Sequence, residues 1–225
     1  MPLLSVIVPV YNEAKTIRQI LEKINSVNID KEVIVVDDGS SDGTDKILRD
    51  IQYPNLKIIH HSSNRGKGAA FLTALDNASG ELVIIQDADL EYDPLEYNKL
   101  IEEFNKSDVD IVLGVRFTEG YHGLLIPKLG NRLLTGLLNL LFGAHLNDFL
   151  TCYKLLRRDT LLKLGIKSQG FGIDTEIVSK VLKRELKIKQ VPVSYYPRNY
   201  SEGKKIKWYD GVMDIINIIK YRFWE

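Results

Sequence analysis

The run Leu4–Thr44, LSVIVPVYNEAKTIRQILEKINSVNIDKEVIVVDDGSSDGT, decides how this chain folds. Leu4–Val10 is a short, largely apolar stretch of strand length. Glu13–Val27 then repeats apolar residues at helical spacing, at Ile17, Ile20, Leu21 and Ile24. Glu32–Asp37 reads as a second buried strand and runs into the turn cluster Asp37-Asp38-Gly39-Ser40-Ser41-Asp42-Gly43-Thr44. Strands that are apolar throughout, rather than alternating, belong in a parallel sheet covered on both faces.

The alternation continues outward from there. A short helix is expected near Asp42–Ile51, a third strand at Leu56–His60, and a helix at Gly66–Ala78. Glu81–Gln86 reads as a fourth strand, Pro94–Asn105 as a helix opened by proline, and Asp110–Val115 as a fifth strand. The pattern then changes. Pro127–Phe142 is a leucine-rich helix, Tyr153–Leu156 a short strand, Thr175–Leu186 a helix, Ile188–Tyr195 a strand and Tyr209–Phe223 a terminal helix. No repeat, low-complexity stretch or linker divides the chain, so residues 1–225 are expected to form a single α/β domain.

Of the 225 residues, 44% are hydrophobic and 27% charged, as in an ordinary globular protein. The 30 basic and 30 acidic residues cancel, which removes the global basic signature of a nucleic-acid partner. The charge is unevenly placed, however. Residues 81–110 carry ten Asp/Glu against two Lys, which suits a metal; residues 180–207 carry nine Lys/Arg against two Glu, which suits an anion or an anionic membrane surface. The single cysteine, Cys152, excludes an internal disulfide framework and fits a reducing compartment. Met1-Pro2-Leu3-Leu4-Ser5 lacks the basic and apolar regions of a signal peptide. The longest uncharged apolar region, Leu133–Asn147, falls short of the roughly 20 residues that cross a bilayer. A cytoplasmic protein without a span is expected.

Open parallel sheets bind ligands beyond the carboxyl ends of their strands. Three polar segments fall at such ends: Pro9-Val10-Tyr11-Asn12-Glu13, the turn cluster 37–44, and Asp87-Ala88-Asp89-Leu90-Glu91. Carboxylates crowded on one rim repel unless a cation or a donor compensates. Asp87 and Asp89 alternate along an extended segment and so face one side, and their hard oxygens suit magnesium or manganese with a diphosphate completing the shell. Each segment alone is as readily a turn or a helix cap; three at strand ends in one half of the chain point to a site. A phosphate loop of the Gly-x-x-x-x-Gly-Lys-Ser/Thr type is missing, and Gly66-Lys67-Gly68 lacks the third glycine of a dinucleotide fingerprint. Asn64-Arg65-Gly66-Lys67-Gly68 is either an anion-binding entry to a helix or simply a tight turn into a packed one.

On these residues the chain resembles the family-2 glycosyltransferases of the GT-A fold, a Rossmann-like, mainly parallel sheet with helices on both faces. It looks most like the branch that acts on polyprenyl (dolichyl) phosphate. The segments Ser5-Val6-Ile7-Val8-Pro9-Val10-Tyr11-Asn12-Glu13 and Val36-Asp37-Asp38-Gly39-Ser40-Ser41-Asp42-Gly43-Thr44, with Asp87-Ala88-Asp89, carry the resemblance. It implies a donor half over 1–115 and an acceptor half over 116–225 that ends in an amphipathic helix. Pro9, Tyr11, Glu13, Asp38, Lys67, Asp87 and Ala88 are then expected around the nucleotide-sugar, with Asp38 reading the base edge. Asp87, Asp89 and Glu91 are the metal candidates. Gly114-Val115-Arg116-Phe117 looks like the branch's Gly-Ser-Arg-Tyr, which gives Arg116 a phosphate. Asp148-Phe149-Leu150-Thr151-Cys152-Tyr153-Lys154 looks like the family's Asp-x-x-Ser/Thr-Gly-Phe/Tyr, with Cys152 in place of glycine. Arg198, Lys204 and Lys205 resemble the basic acceptor segment, and Lys128 and Asn131 fall near a second phosphate-contact region.

The implied reaction is an inverting displacement at the anomeric carbon, with Asp148, Asp89 and Arg116 as catalytic candidates and Mg2+ or Mn2+ as cofactor. The donor is UDP-, GDP- or dTDP-linked. A sugar-hydroxyl acceptor needs a base, for which Asp148 is the candidate. A lipid phosphate, with its second pKa near about 6, needs cations instead, which the basic segment supplies. Trp208, Val212, Ile215, Ile216, Ile219 and Phe223 recur at helical spacing, so the last helix either rests on the inner face of a membrane or closes the core. A catalytically silent nucleotide-sugar binder is the remaining alternative. A nucleotidyltransferase and a processive synthase are disfavoured by the missing Gly-x-Gly-x-Arg-Leu and Gln-x-x-Arg-Trp motifs.

Overall fold

The computed structural model describes residues 2–116, 125–198 and 208–225. In chain order, β1 (Leu4–Val10), α1 (Ile17–Ser26), β2 (Lys31–Asp37), α2 (Thr44–Arg49), β3 (Leu56–His60), α3 (Lys67–Asp76) and β4 (Leu82–Ile85) build the first half of the sheet. A short 3-10 turn at Pro94–Glu96, α4 (Tyr97–Lys106) and β5 (Ile111–Val115) follow. The rest comprises α5 (Leu125–Phe142), β6 (Lys154–Arg157), α6 (Arg158–Leu164), α7 (Ile173–Lys183), β7 (Ile188–Pro192) and α8 (Trp208–Phe223).

The seven strands form one sheet in the order β3-β2-β1-β4-β6-β5-β7. All neighbours are parallel except around β6, which runs antiparallel between β4 and β5. That departs from the sheet's parallel sense at one strand, and α6, which follows β6 directly, was not foreseen in the sequence. β1, β2 and β4 are buried almost throughout, as continuous apolar strands should be when both faces are covered. The helix faces follow the sequence period: α1 buries Ile17, Ile20, Leu21 and Ile24, and α4 buries Tyr97, Leu100, Ile101 and Phe104. Proline at position 94, capped by the Asp93 side chain accepting from Leu95 N, starts the turn that leads into α4.

The order in which strands are added switches sides at β1: β2 and β3 lie to one side of it and β4, parallel to it, to the other. This is the switch point at which such sheets open a crevice. β1 pairs with β4 only as far as Ile7↔Ile85, and Pro9, which has no N–H to give, lies just beyond. On its other side β1 stays paired with β2 to Val10↔Asp37. The ends of β1 and β4 therefore part where the polar segments begin.

Candidate active site

The loops after β1 and β2 are laced together by side chains. Asn12 N donates to Ser40 Oγ (2.8 Å) and Ser41 N to Asn12 Oδ1 (2.8 Å). Glu13 N donates to Thr44 Oγ1 (3.0 Å), and Ala14 N to Asp42 Oδ2 (3.0 Å). Asn12 adopts φ 52°, a left-handed conformation that asparagine tolerates. The lacing fixes Glu13 at the mouth of the crevice, while Tyr11 stands 37% exposed beside it.

Asp38, expected beside the base, ties the turn after β2 to the entry of α3. Its carboxylate accepts from Arg65 N (3.0 Å) and Gly66 N (2.7 Å) and pairs with His61 Nδ1 (2.7 Å), and the residue is buried. It anchors the entry to α3. The glycines of that entry have a packing reason: a Cβ on Gly66 would meet Gln169 O at 2.4 Å, and one on Gly68 would meet Ser168 O at 2.1 Å. The backbone of 66–68 thus lies directly against 168–169.

Lys67, at the start of α3, reaches across to the end of β4. Its Nζ is 2.8 Å from Asp87 Oδ1 and 3.6 Å from Asp174 Oδ2. Asp174, in the first turn of α7, also holds the fully buried Lys154 at 2.6 Å. Burial alone would raise the Asp87 carboxyl, but the Lys67 ammonium outweighs it and holds the group below its ordinary range. Ala88 is buried between the two aspartates.

Asp89 points the other way, to Arg198, whose Nη2 donates to Oδ2 at 2.8 Å. Arg198 also reaches Glu13, with Nη1 3.0 Å from Oε2, and lies 3.8 Å from Glu91 through Nε. Burial, then the Asp87 and Glu91 charges, push the Asp89 carboxyl up to about 7 against the pull of Arg198. Glu91 accepts from Tyr195 OH (2.8 Å) and from Arg198 N (2.8 Å). Three carboxylates thus share one guanidinium at the switch point. Among the described residues no three acidic, imidazole or thiol groups are spaced as ligands of one ion: Asp87 faces Lys67, and Arg198 stands among Glu13, Asp89 and Glu91.

A second arginine lies alongside. Arg116, at the end of β5, donates Nε to Asp148 Oδ2 (2.7 Å) and Nη2 to Oδ1 (2.8 Å). Asn131 of α5 donates to the same carboxylate (2.7 Å) and is itself fixed by Thr135 (2.8 Å). Asp148 is 0% exposed, and although burial would raise its pKa, Arg116 holds it low. Both oxygens of this fully buried carboxylate accept from Arg116 and Asn131, so Asp148, the candidate base, here fixes the orientation of the Arg116 guanidinium. Tyr195 joins the two arginines: its hydroxyl is on Glu91 and its ring lies under the Arg116 guanidinium, 5.2 Å away.

The structure therefore brings Glu13, Asp87, Asp89, Glu91, Lys67, Arg116, Asn131, Asp148 and Arg198 into one region. Pro9 and Tyr11 lie at its rim and Lys128 sits one turn before Asn131 on α5; Lys204 and Lys205 lie outside the described residues. Asp174, Lys154 and Tyr195 were missed. Tyr195 could have been suspected from its place at the end of β7, which runs parallel to β5, and Asp174 from its place opening a helix.

The family model described as Glycosyl transferase family 2 matches residues 5–165. Glycosyltransferase AglJ of Haloferax volcanii is 30% identical over 196 residues, covering 86% of this chain and 63% of that protein. The dolichol-phosphate mannosyltransferase of Pyrococcus furiosus is 28% identical over 211 residues, covering 89% and 58%. The chain thus spans somewhat over half the length of these relatives. Among solved structures, glucosyl-3-phosphoglycerate synthase of Mycobacterium tuberculosis, in complex with Mn2+, UDP and phosphoglyceric acid, superposes with a TM-score of 0.73 at 22% identity, covering 98% of this chain and 78% of that one. At that identity the likeness concerns the fold.

Proposed function

We propose, from the premise that this chain belongs to glycosyl transferase family 2, that it moves a hexose with inversion from a nucleotide-sugar to the phosphate of a polyprenyl or dolichyl lipid. The observation that carries the reading is the meeting of Glu13, Asp89 and Glu91 around one cation at the β1/β4 switch point, beside the pinned Arg116. The oxygen-only donors, three carboxylates to one guanidinium among the described residues, suit the chemistry of Mg2+ or Mn2+, although with Arg198 among them they are not spaced as ligands of an ion. Asp89 and Glu91, with Asp87 next to them, would hold it. When bound, such an ion neutralises charge that builds on a departing diphosphate.

The chain's own residues do the rest. Tyr11 and Glu13 line the nucleotide end, and Lys67 offers its ammonium next to Asp87 where a diphosphate would lie. Arg116 is locked in orientation by Asp148 and Asn131, so its guanidinium meets phosphate oxygens without first losing rotamer freedom. A lipid phosphate is already ionised near neutral pH and needs no base, which agrees with Asp148 being committed elsewhere.

Membrane contact has its own support. On α8 the face turned inward carries Asp214, Asn217, Ile218 and Tyr221, while Val212, Met213, Ile215 and Ile216 face outward. α5 is arranged likewise, burying Asn131, Thr135 and Leu138 and exposing Leu129, Leu133 and Leu140. Apolar stripes left outside, on helices that also carry Arg132, Lys220 and Arg222, suit the interface of an anionic bilayer. No helix among the described residues is long and apolar enough to cross one.

A second reading, transfer to a sugar hydroxyl, draws on Asp174, whose carboxylate lies 3.6 Å from Lys67 and keeps some exposure where Asp148 has none. One assay separates them. The protein is mixed with UDP-, GDP- or dTDP-hexoses, Mn2+, and vesicles of neutral or anionic lipid with or without polyprenyl phosphate. Labelled lipid product that requires polyprenyl phosphate, with co-flotation on anionic vesicles, is expected. Product only with a saccharide acceptor would move the function to the second reading, and donor binding with no transfer to any acceptor would leave a silent binder.

A further inference from the structure

The carboxylates assigned to the metal are not vacant; one side chain fills the space among them. Arg198 Nη1 lies 3.2 and 3.0 Å from the two oxygens of Glu13, and Nη2 lies 3.3 Å from Glu13 Oε1 and 2.8 Å from Asp89 Oδ2. Its backbone N is tied to Glu91 Oε1 at 2.8 Å, while Tyr196 N is tied to Glu91 O at 2.8 Å and Tyr195 OH to Glu91 Oε2. Glu91 thus straps segment 195–198 over the crevice.

We propose that Arg198 is a resident counter-cation of the metal site, displaced when the divalent ion binds, and that this exchange frees its guanidinium to meet the anionic acceptor. The inference rests on the metal reading above. Its physical basis is competition for one lone-pair region: a guanidinium 2.8 Å from Asp89 Oδ2 and an ion bound to that same oxygen would place like charges within a few ångströms in a poorly solvated site. The resident cation also fits imperfectly. Arg198 Nε is buried with no hydrogen-bond acceptor among the described residues, so one of its donors goes unsatisfied. Among the described residues three carboxylates face this one guanidinium, an arrangement that suits a dication, and loss of Arg198 from Asp89 costs the apo protein one charge-assisted contact there.

Two consequences follow. Because Arg198 remains tethered by its backbone to Glu91, it stays near the crevice after release and can turn its fork to phosphate oxygens. Because it is unavailable until the ion has entered, ion and donor precede the acceptor. By linkage, whatever weakens Arg198 at Asp89 tightens the ion, and the ion in turn must loosen Arg198.

The test measures Mn2+ binding to the full chain without nucleotide, reading free Mn2+ by electron paramagnetic resonance. Arg198→Ala should bind Mn2+ about tenfold more tightly than wild type, the size expected for removing one charge-assisted competitor, and Arg198→Lys should fall between them. Equal or weaker binding by Arg198→Ala, with wild-type melting temperature, overturns the exchange and leaves the metal reading intact. Failure of wild type and both variants to bind Mn2+ overturns the metal reading itself. Wild-type protein supplies an independent readout should the variant not fold: phenylglyoxal labelling of Arg198, followed by peptide mass, should speed up about threefold on adding Mn2+, as reciprocity requires. Unchanged or slower labelling counts against the exchange.

Discussion

Two arginine–aspartate pairs lie side by side in this crevice, and their difference shows what each is for. In the Arg116–Asp148 pair the charges match one to one, both carboxylate oxygens accept, Asn131 adds a further donor, and the aspartate is fully buried. In the Arg198–Asp89 pair the same arginine is shared with Glu13 and Glu91, and burial with the neighbouring acids drives the Asp89 carboxyl up to about 7. The first is a finished structure and holds a side chain in aim. The second sets three carboxylates about one guanidinium among the described residues, the arrangement on which the proposed metal site rests.

Removing one charge from each pair should therefore have opposite results, and the larger effect on the fold belongs to the finished pair. Asp148→Asn leaves the Arg116 guanidinium buried opposite a neutral amide, which should cost about 3–5 kcal/mol of folding stability. Urea unfolding measures this. A loss below about 1 kcal/mol would mean that the pair is solvated and that Asp148 could be a base after all.

The same substitution at Asp89 should barely move stability, by less than about 1 kcal/mol, because Arg198 keeps Glu13 and Glu91 and an amide oxygen can still accept from Glu91 N. Transfer, in contrast, should fall by about 10²–10³-fold, the usual consequence of losing one preorganised electrostatic group at a site where charge develops. An Asp89→Asn protein that loses several kcal/mol of stability, or that keeps full metal-stimulated transfer, would erase the distinction between the pairs.

Much of this was legible in the sequence, for reasons tied to particular residues. Continuous apolar strands and the periodic Ile17, Ile20, Leu21 and Ile24 dictate a covered parallel sheet, and the topology of such sheets puts Glu13, Asp87 and Asp89 on one rim. What sequence spacing cannot carry is partnership. Asp38 and Asp148 look like ligand-facing acids in one dimension, and only the fold brings Gly66 N and His61 to the first and Asn131 to the second. Antiparallel β6 was equally hidden, since Lys154–Arg157 is a four-residue strand whose direction depends on where the chain crosses back. The apolar stripe of α8 was visible, but its outward orientation was not, because Asp214 and Asn217 take the inward side through contacts with α7 and its preceding loop.

That inward acid gives the smallest effect and a third member of the comparison. Among the described residues Asp214 has no cation in contact; its carboxylate accepts from Thr175 Oγ1, and burial, with Asp174 and Asp210 nearby, raises it from 3.8 to about 6. An acid whose pKa is raised on folding stabilises the native state fully below its unfolded value. That contribution disappears as pH rises through the folded value. Wild-type protein should therefore lose stability between about pH 4 and 6.5 on this account, and Asp214→Asn, which keeps an oxygen for Thr175 and never ionises, should not. At pH 8 the variant should be the more stable by about 2–3 kcal/mol, and at pH 4 the two should agree. Thermal melting of both proteins across that range checks it. Parallel pH curves would mean that α8 stands off α7 in solution, so that its polar side is wet and the direction of its apolar stripe is no longer fixed.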